Sequence, residues 1–371
     1  MCNSELQQLI TDDSKHRQAL EDWLTASKTL MADPLALLCS TTDSFTELAN
    51  SLSNCGPMRL YKYQPFSERN VRDFHSSSLH LSPIDKLNDK FEGHLHFDEE
   101  FSKHALEGIL QMDKCLLAPY VKQLMSAVGR EANDQSLGEF MTFLDDVQRL
   151  SGSMDQLNAT MLSREHILEW IREMRKGQRC GALSRTPLSP SMWDRYARRH
   201  EGFVTGYSVS EFSFPCSCAR GSDASCQKGL RALLCPVAYA NDIPSLGPLH
   251  VASIALTLLG VKVEEAVVLF VVLSLCRKSQ FWSNEMEWRL ITSAGPCNDR
   301  NVYAHMRPDS VYLGVSIGKD ERLRVIEAAT DMGIEIIFDM RIPDNATEYL
   351  LEAVPVDLDG IKSGPVWEGV C

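Results

Sequence analysis

Apolar and polar positions divide this chain into stretches of different period. Leu6, Leu9 and Ile10, then Leu20, Trp23 and Leu24, recur at helical spacing, and Asp33-Pro34 opens a second helix with Pro34 in its first turn. Asn54-Cys55-Gly56-Pro57 breaks the pattern. From Met58 short strand-like segments take over. RLYKYQPF and SLHLSPI flank a helical stretch, Glu68 to His75, which predicts a β-α-β start. LNDKFEGHLHF follows as a loop leading into another strand. Residues 99–178 read as helices, including 118–128, 137–150 and 164–176. Strands are expected at 181–184, 202–208, 235–240, 286–292, 310–313 and 335–339, and helices at 190–200, 247–276 and 320–332. The pattern predicts an α+β fold built on a mixed β-sheet with large helical insertions. It divides into an N-terminal helical extension (1–57), a main domain (58–345) carrying the insertion at about 99–178, and a C-terminal tail (346–371).

Composition narrows the function classes. Apolar residues make up 44% and charged residues 23%, as in soluble globular proteins. With 37 basic and 50 acidic residues the net charge is −13, which opposes nonspecific binding to long nucleic acids. No secretory leader precedes the first helix, so the 12 cysteines are expected as reduced thiols in the cytoplasm. The most hydrophobic run, Val251 to Cys276, is interrupted by Lys262, Glu264 and Glu265, and no membrane span is expected.

The segment SQFWSNEMEWRLI, Ser279 to Ile291, carries the most chemistry. As a strand it would place Glu285, Glu287 and Arg289 on one face, and Trp282 and Trp288 on the other. Two like charges on one face cost stability unless something uses them. The bland alternative is an exposed, ion-paired surface. Trp193, Tyr196 and His200, spaced three and four apart, share one helix face and suit either a ligand contact or a core-facing stripe. Tyr61 and Tyr63 share one face of the first strand and can stack on a flat ring or pack in the core, while Asn88 and Asp89 shape the loop after the second strand. Cys216, Cys218, Cys226 and Cys235 are the densest cysteine cluster, but their gaps fit structural zinc poorly, and no metal site is expected. Phosphate-loop, dinucleotide and zinc-protease motifs are absent from the sequence.

Four segments together resemble a bacterial family known only as domain of unknown function 2971. They are LYKY (60–63), LHLSPIDKLNDKFEG (79–93), ALSRTPLSPSMWDRYARRHEGFVTGYS (182–208) and KSQFWSNEMEWRLI (278–291) followed by VYLGVSI. Where that family usually has proline after Asn-Asp, this chain has Lys90. More distantly, the order of parts resembles the split sheet of ADP-ribosyltransferases, with Glu285-Met286-Glu287 similar to their two-glutamate motif; the Arg or His of their first strand is replaced by Tyr61-Lys62-Tyr63. That resemblance implies NAD as substrate and a macromolecular acceptor, protein or nucleic acid, or else NAD hydrolysis, in a toxin or phage-defence setting. It implies Glu287 and Glu285 as catalytic groups, with Tyr61, Tyr63, Asn88, Trp193, Tyr196, His200 and Arg289 around the dinucleotide. Two rival readings stay open. One is a non-enzymatic module that binds a partner protein through residues 99–178. The other is a metal-dependent nuclease using Asp89, Glu92 and Glu287 as ligands.

Overall fold

The computed structural model describes residues 59–97, 138, 142, 164–208, 232–243, 245–246, 274–293 and 302–358. The N-terminal extension, most of the helical insertion, the expected helices at 247–273 and Cys216, Cys218 and Cys226 lie outside these residues.

The chain opens as its pattern predicts: β1 (Arg59–Gln64), α1 (Glu68–His75) and β2 (Ser78–Pro83). Helix α1 starts where Ser67 accepts a bond from the Asn70 amide at 3.1 Å, with Glu68 in the first turn. In β2, Leu79 and Leu81 point inward and alternate with polar positions. Next come β3 (His96–Phe97), α2 (Arg164–Lys176), β4 (Gln178–Ser184), α3 (Pro190–Tyr196) and β5 (Phe203–Ser208). The expected strand at 235–240 is two strands, β6 (Ala232–Pro236) and β7 (Ala238–Ala240), followed by β8 (Ser245–Leu246) and β9 (Arg277–Ser279). The C-terminal part contains β10 (Glu287–Ser293), β11 (Val302–His305), β12 (Ser310–Leu313), α4 (Lys319–Asp331), β13 (Ile336–Arg341) and β14 (Glu352–Pro355). Strand β14 pairs with β13, so the stretch expected as a tail contributes to the sheet.

Among the described residues ten strands form one mixed sheet. Its two halves meet at β4. On one edge β4 pairs along its whole length with β10, which pairs in turn with β6. The other edge is divided. Ser82 and Pro83 of β2 pair with Cys180 and Arg179, while Tyr61 of β1 pairs with Ser184. Among the described residues Gly181, Ala182 and Leu183 therefore have no strand partner on that edge, and a wedge opens between β1 and β2. Beyond β1 the sheet continues through β5, β12, β13 and β14, with α4 carrying the parallel β12–β13 crossover.

Among the described residues three apolar clusters hold these layers. Phe74, Phe203, Val311, Val325 and Ile337 pack α1 and α4 on one face of the sheet. Tyr61, Tyr63, Trp193, Tyr312 and Phe338 pack α3 on the opposite face. Leu79, Leu81, Leu183, Trp288 and Leu290 fill the β2–β4–β10 half. Among the described residues no helix is long and apolar enough to cross a membrane.

Candidate functional site

The paired glutamates reach one place by different routes. Strand β10 starts only at Glu287, and alternation puts Glu287 and Arg289 on one face with the buried Trp288 on the other. The expectation that the strand already includes Glu285 and Trp282 is corrected. Gln280–Glu285 is a 3-10 turn, capped by Ser279, and Met286 leaves it in the left-handed region at φ 45°. Ser184 Oγ donates to the Glu285 carbonyl at 2.8 Å, and the Arg185 amide donates to the Met286 carbonyl at 3.1 Å. These bonds tie the turn to the end of β4 and turn the Glu285 side chain back beside Glu287. Trp282 sits on the turn itself, its ring 4.9 Å from Lys278 Nζ and 4.9 Å from the Arg195 guanidinium, rather than on the far face of a strand.

A third carboxylate arrives from the loop after β2. Asp89 accepts from the Phe91 amide at 2.9 Å, and Gly93 turns the chain at φ 62°, a conformation costly for other residues. Between them Glu92 is aimed inward and buried.

Two buried cations bind the three acids, and Arg195 joins them from the rim, its Nη1 3.7 Å from Glu285 Oε1. Lys278 Nζ lies 2.7 Å from Glu285 Oε2, 2.9 Å from Glu287 Oε2 and 3.7 Å from Glu92 Oε1. Arg289, fully buried, grips Glu92 with Nη1 and Nη2, both at 2.6 Å. It holds Glu287 through Nε at 2.8 Å and Nη2 at 3.2 Å, and Nη1 also donates to the Leu275 carbonyl. Tyr196 donates to Glu285 Oε1 at 2.7 Å. Burial pushes the Glu287 carboxyl up, but Arg289 and Lys278 outweigh it and hold it at about 2. Burial likewise disfavours charge on Lys278, yet Glu287 and Glu285 raise its pKa above the ordinary lysine value. Burial, then Glu285, raises the Tyr196 phenol, which stays a neutral donor. Three carboxylates meet two buried cations and the partly exposed Arg195, so the charges of this wall balance.

The wall borders a cavity of about 200 Å³ seated in the wedge beside β4. Of the residues singled out in the sequence, Glu285, Glu287, Tyr61, Tyr63, Asn88 and Tyr196 line it. Trp193, His200 and Arg289 do not. Trp193 is buried in the core, donating its indole N–H to the Pro187 carbonyl at 2.7 Å. Arg289 sits behind the carboxylates and orients them. The helix expected to run to His200 ends at Tyr196, and Arg198, Arg199 and His200 all take positive φ. His200 leaves the helix but still stacks on Trp193, ring centroids 6.1 Å apart and planes 8° from parallel. Lys62, Lys278 and Glu92 also line it; from sequence Glu92 has a candidate role, Lys62 is named only within Tyr61-Lys62-Tyr63 and Lys278 has none. Lys278 lies nine residues before Glu287 and reaches it across the 3-10 turn, a relation no strand or helix period signals.

The three nuclease ligands do not converge. Asp89 lines a separate cavity, while Glu92 and Glu287 share Arg289. Among the described residues no group of three His, Cys, Asp or Glu side chains is placed to hold a metal ion. Cys235 is a buried free thiol on β6, beside β10.

No curated protein and no solved structure matches this chain. One family model, described as Protein of unknown function (DUF2971), matches residues 192–290, a span containing Tyr196, Lys278, Glu285, Glu287 and Arg289. The match supports the likeness to that family over the segment that carries Tyr196 and the one that carries Glu285 and Glu287.

Proposed function

We propose that this cavity cleaves the bond between nicotinamide and ribose in NAD and passes ADP-ribose to a macromolecular acceptor or to water. One observation carries the reading: two carboxylates, Glu285 and Glu287, are fixed side by side on a cavity wall by Lys278 and Arg289. The divided sheet supports it: the distant resemblance to ADP-ribosyltransferases implies a split sheet, and the cavity lies where β1 and β2 part along β4. When the glycosidic bond breaks, its electron pair leaves with nicotinamide, and positive charge develops on the ribose ring. Glu287, held at about 2, is ionised at neutral pH, so it suits stabilising that cation and is too weak a base to take a proton. Glu285, oriented by Tyr196 and Lys278, is placed to accept the proton of the attacking hydroxyl. Tyr61 and Tyr63 offer ring surface to the nicotinamide. A cavity of about 200 Å³ is below the ~300–1,000 Å³ typical of sites that enclose whole ligands, so it takes the nicotinamide-ribose end.

The test is nicotinamide release from labelled NAD by wild type and by Glu287→Gln, with lysate present to reveal an acceptor. The substitution is expected to lower release by about 10²–10³-fold with the fold retained. Equal rates for the two proteins would refute the mechanism.

A further inference from the structure

Among the described residues Lys62 is the deep-lying cation of the cavity wall that is not ion-paired to the acids. After Tyr61 pairs with Ser184, β1 diverges from β4, and Lys62 reaches back across the gap to donate to the Ala182 carbonyl at 3.0 Å. It stands where a strand partner would have been. An ammonium has three N–H donors, and that bond uses one. Among the described residues no other hydrogen-bond partner meets Lys62 and no carboxylate lies within ion-pairing distance. Every other charged group deep in the cavity is paired: Glu92, Glu285, Glu287 and Lys278 belong to one network. Lys86, exposed, stands at the same lining.

We propose that Lys62 is the anion subsite of this cavity, taking a phosphate or carboxylate oxygen of a small ligand whose opposite end meets the glutamate wall. The carboxylate oxygens of Glu285 and Glu287 are already met by Lys278, Arg289 and Arg195 and repel an anion at close range, so the negative end of a ligand goes to Lys62. Burial lowers the basicity of Lys62, and the nearby Cys180 and Glu287 offset this only in part. Tyr61, Tyr63 and Tyr196, on the same lining, have raised pKa values and stay uncharged, so they supply no counter-ion. A bound oxyanion fills that place, and its arrival draws a proton onto Lys62. The subsite does not require NAD to be the ligand.

Inorganic phosphate and acetate, each added to the full-length protein, separate the two oxyanion sources. Carbon-13 labelling at lysine Cε lets NMR follow Lys62, assigned by its loss in Lys62→Met. The preferred anion is expected to raise the titration midpoint of Lys62 by about 1 unit or more. Amide signals of Leu183 and Ser184 report affinity in each variant. Lys62→Met is expected to weaken binding by at least about tenfold, and Lys62→Arg to keep most of it. Response of Lys62 to neither anion, or equal affinity in Lys62→Met and wild type, would overturn the proposal. If Lys62→Met fails to fold, loss of the signal in Lys62→Arg supplies the assignment and the wild-type titration decides. Because the probes are not NAD and Glu287→Gln leaves Lys62 in place, failure here is distinct from failure of the cleavage reading.

Discussion

Arg289 has all five of its N–H groups bonded, to Glu92, to Glu287 and to the Leu275 carbonyl. Its work is to let two carboxylates coexist in a buried space, where either alone would be costly. Arg289→Met leaves both carboxylates to Lys278, and is expected to destabilise the protein by about 3–5 kcal/mol in urea unfolding. Lys278→Met should act differently. It keeps the Arg289 forks but removes the one cation that touches both Glu285 and Glu287, so it should raise the pKa of Glu287 and displace Glu285. Nicotinamide release should then fall even where stability is largely kept, and its acid limb should move to higher pH. An unchanged pH profile in Lys278→Met would remove Lys278 from the site. The sequence displays the paired acids and Arg289 on one face but hides the rest of the network. Glu285 and Glu287 are two apart and visible as a pair, whereas Lys278 and Glu92 join them only through tertiary structure.

At the scale of elements, what was legible follows where a single local rule decides. Strand β12 falls at Ser310–Leu313 as read from its apolar run, and β1, α1 and β2 follow from alternation and the Ser67 cap. The errors come where tertiary contact overrides a local period. Trp193, Tyr196 and His200 have helical spacing, yet the chain must turn after Tyr196 to bring Gly202 against β1. A Cβ at Gly202 would sit 2.3 Å from the Gln64 carbonyl oxygen, and one at Gly314 would sit 2.1 Å from the His200 carbonyl oxygen. Nothing local announces these approaches. Gly314→Ala is therefore expected to lower stability by about 1–3 kcal/mol, measured by denaturant midpoint, through displacement of the 198–202 turn. The glutamate strand fails in the same way, since Met286 at φ 45° ends the 3-10 turn one residue before pairing begins. Met286 is half exposed and left-handed, so Met286→Gly should leave stability unchanged or raise it. Met286→Ile, β-branched and strained at positive φ, should lower it by about 1–2 kcal/mol and disturb Glu285. Equal stability of the two variants would show that this backbone is not what fixes the turn.

For the whole molecule, the network ties pH to stability on both sides of neutrality. The Glu287 carboxyl moves from 4.5 to about 2 on folding, so the folded state holds fewer protons there than the unfolded chain between these values. Its contribution is present in full above pH 4.5 and is lost as pH falls toward 2. A shift of this size is worth roughly 3 kcal/mol. Lys278 shifts the other way, above its ordinary 10.5, so its contribution is complete below that pH and is lost as the solution becomes more alkaline. The folded protein should therefore lose stability at both extremes through one cluster. Urea unfolding at a series of pH values separates this from the titration of 50 acidic side chains. Glu287→Gln, which cannot titrate, should flatten the acid limb between about 4.5 and 2 relative to wild type, and Lys278→Met should flatten the alkaline limb. Parallel wild-type and Glu287→Gln curves over the acid range would mean that Glu287 is not held ionised by Arg289 and Lys278. The ionised carboxylate that the proposed cleavage needs would then be missing as well.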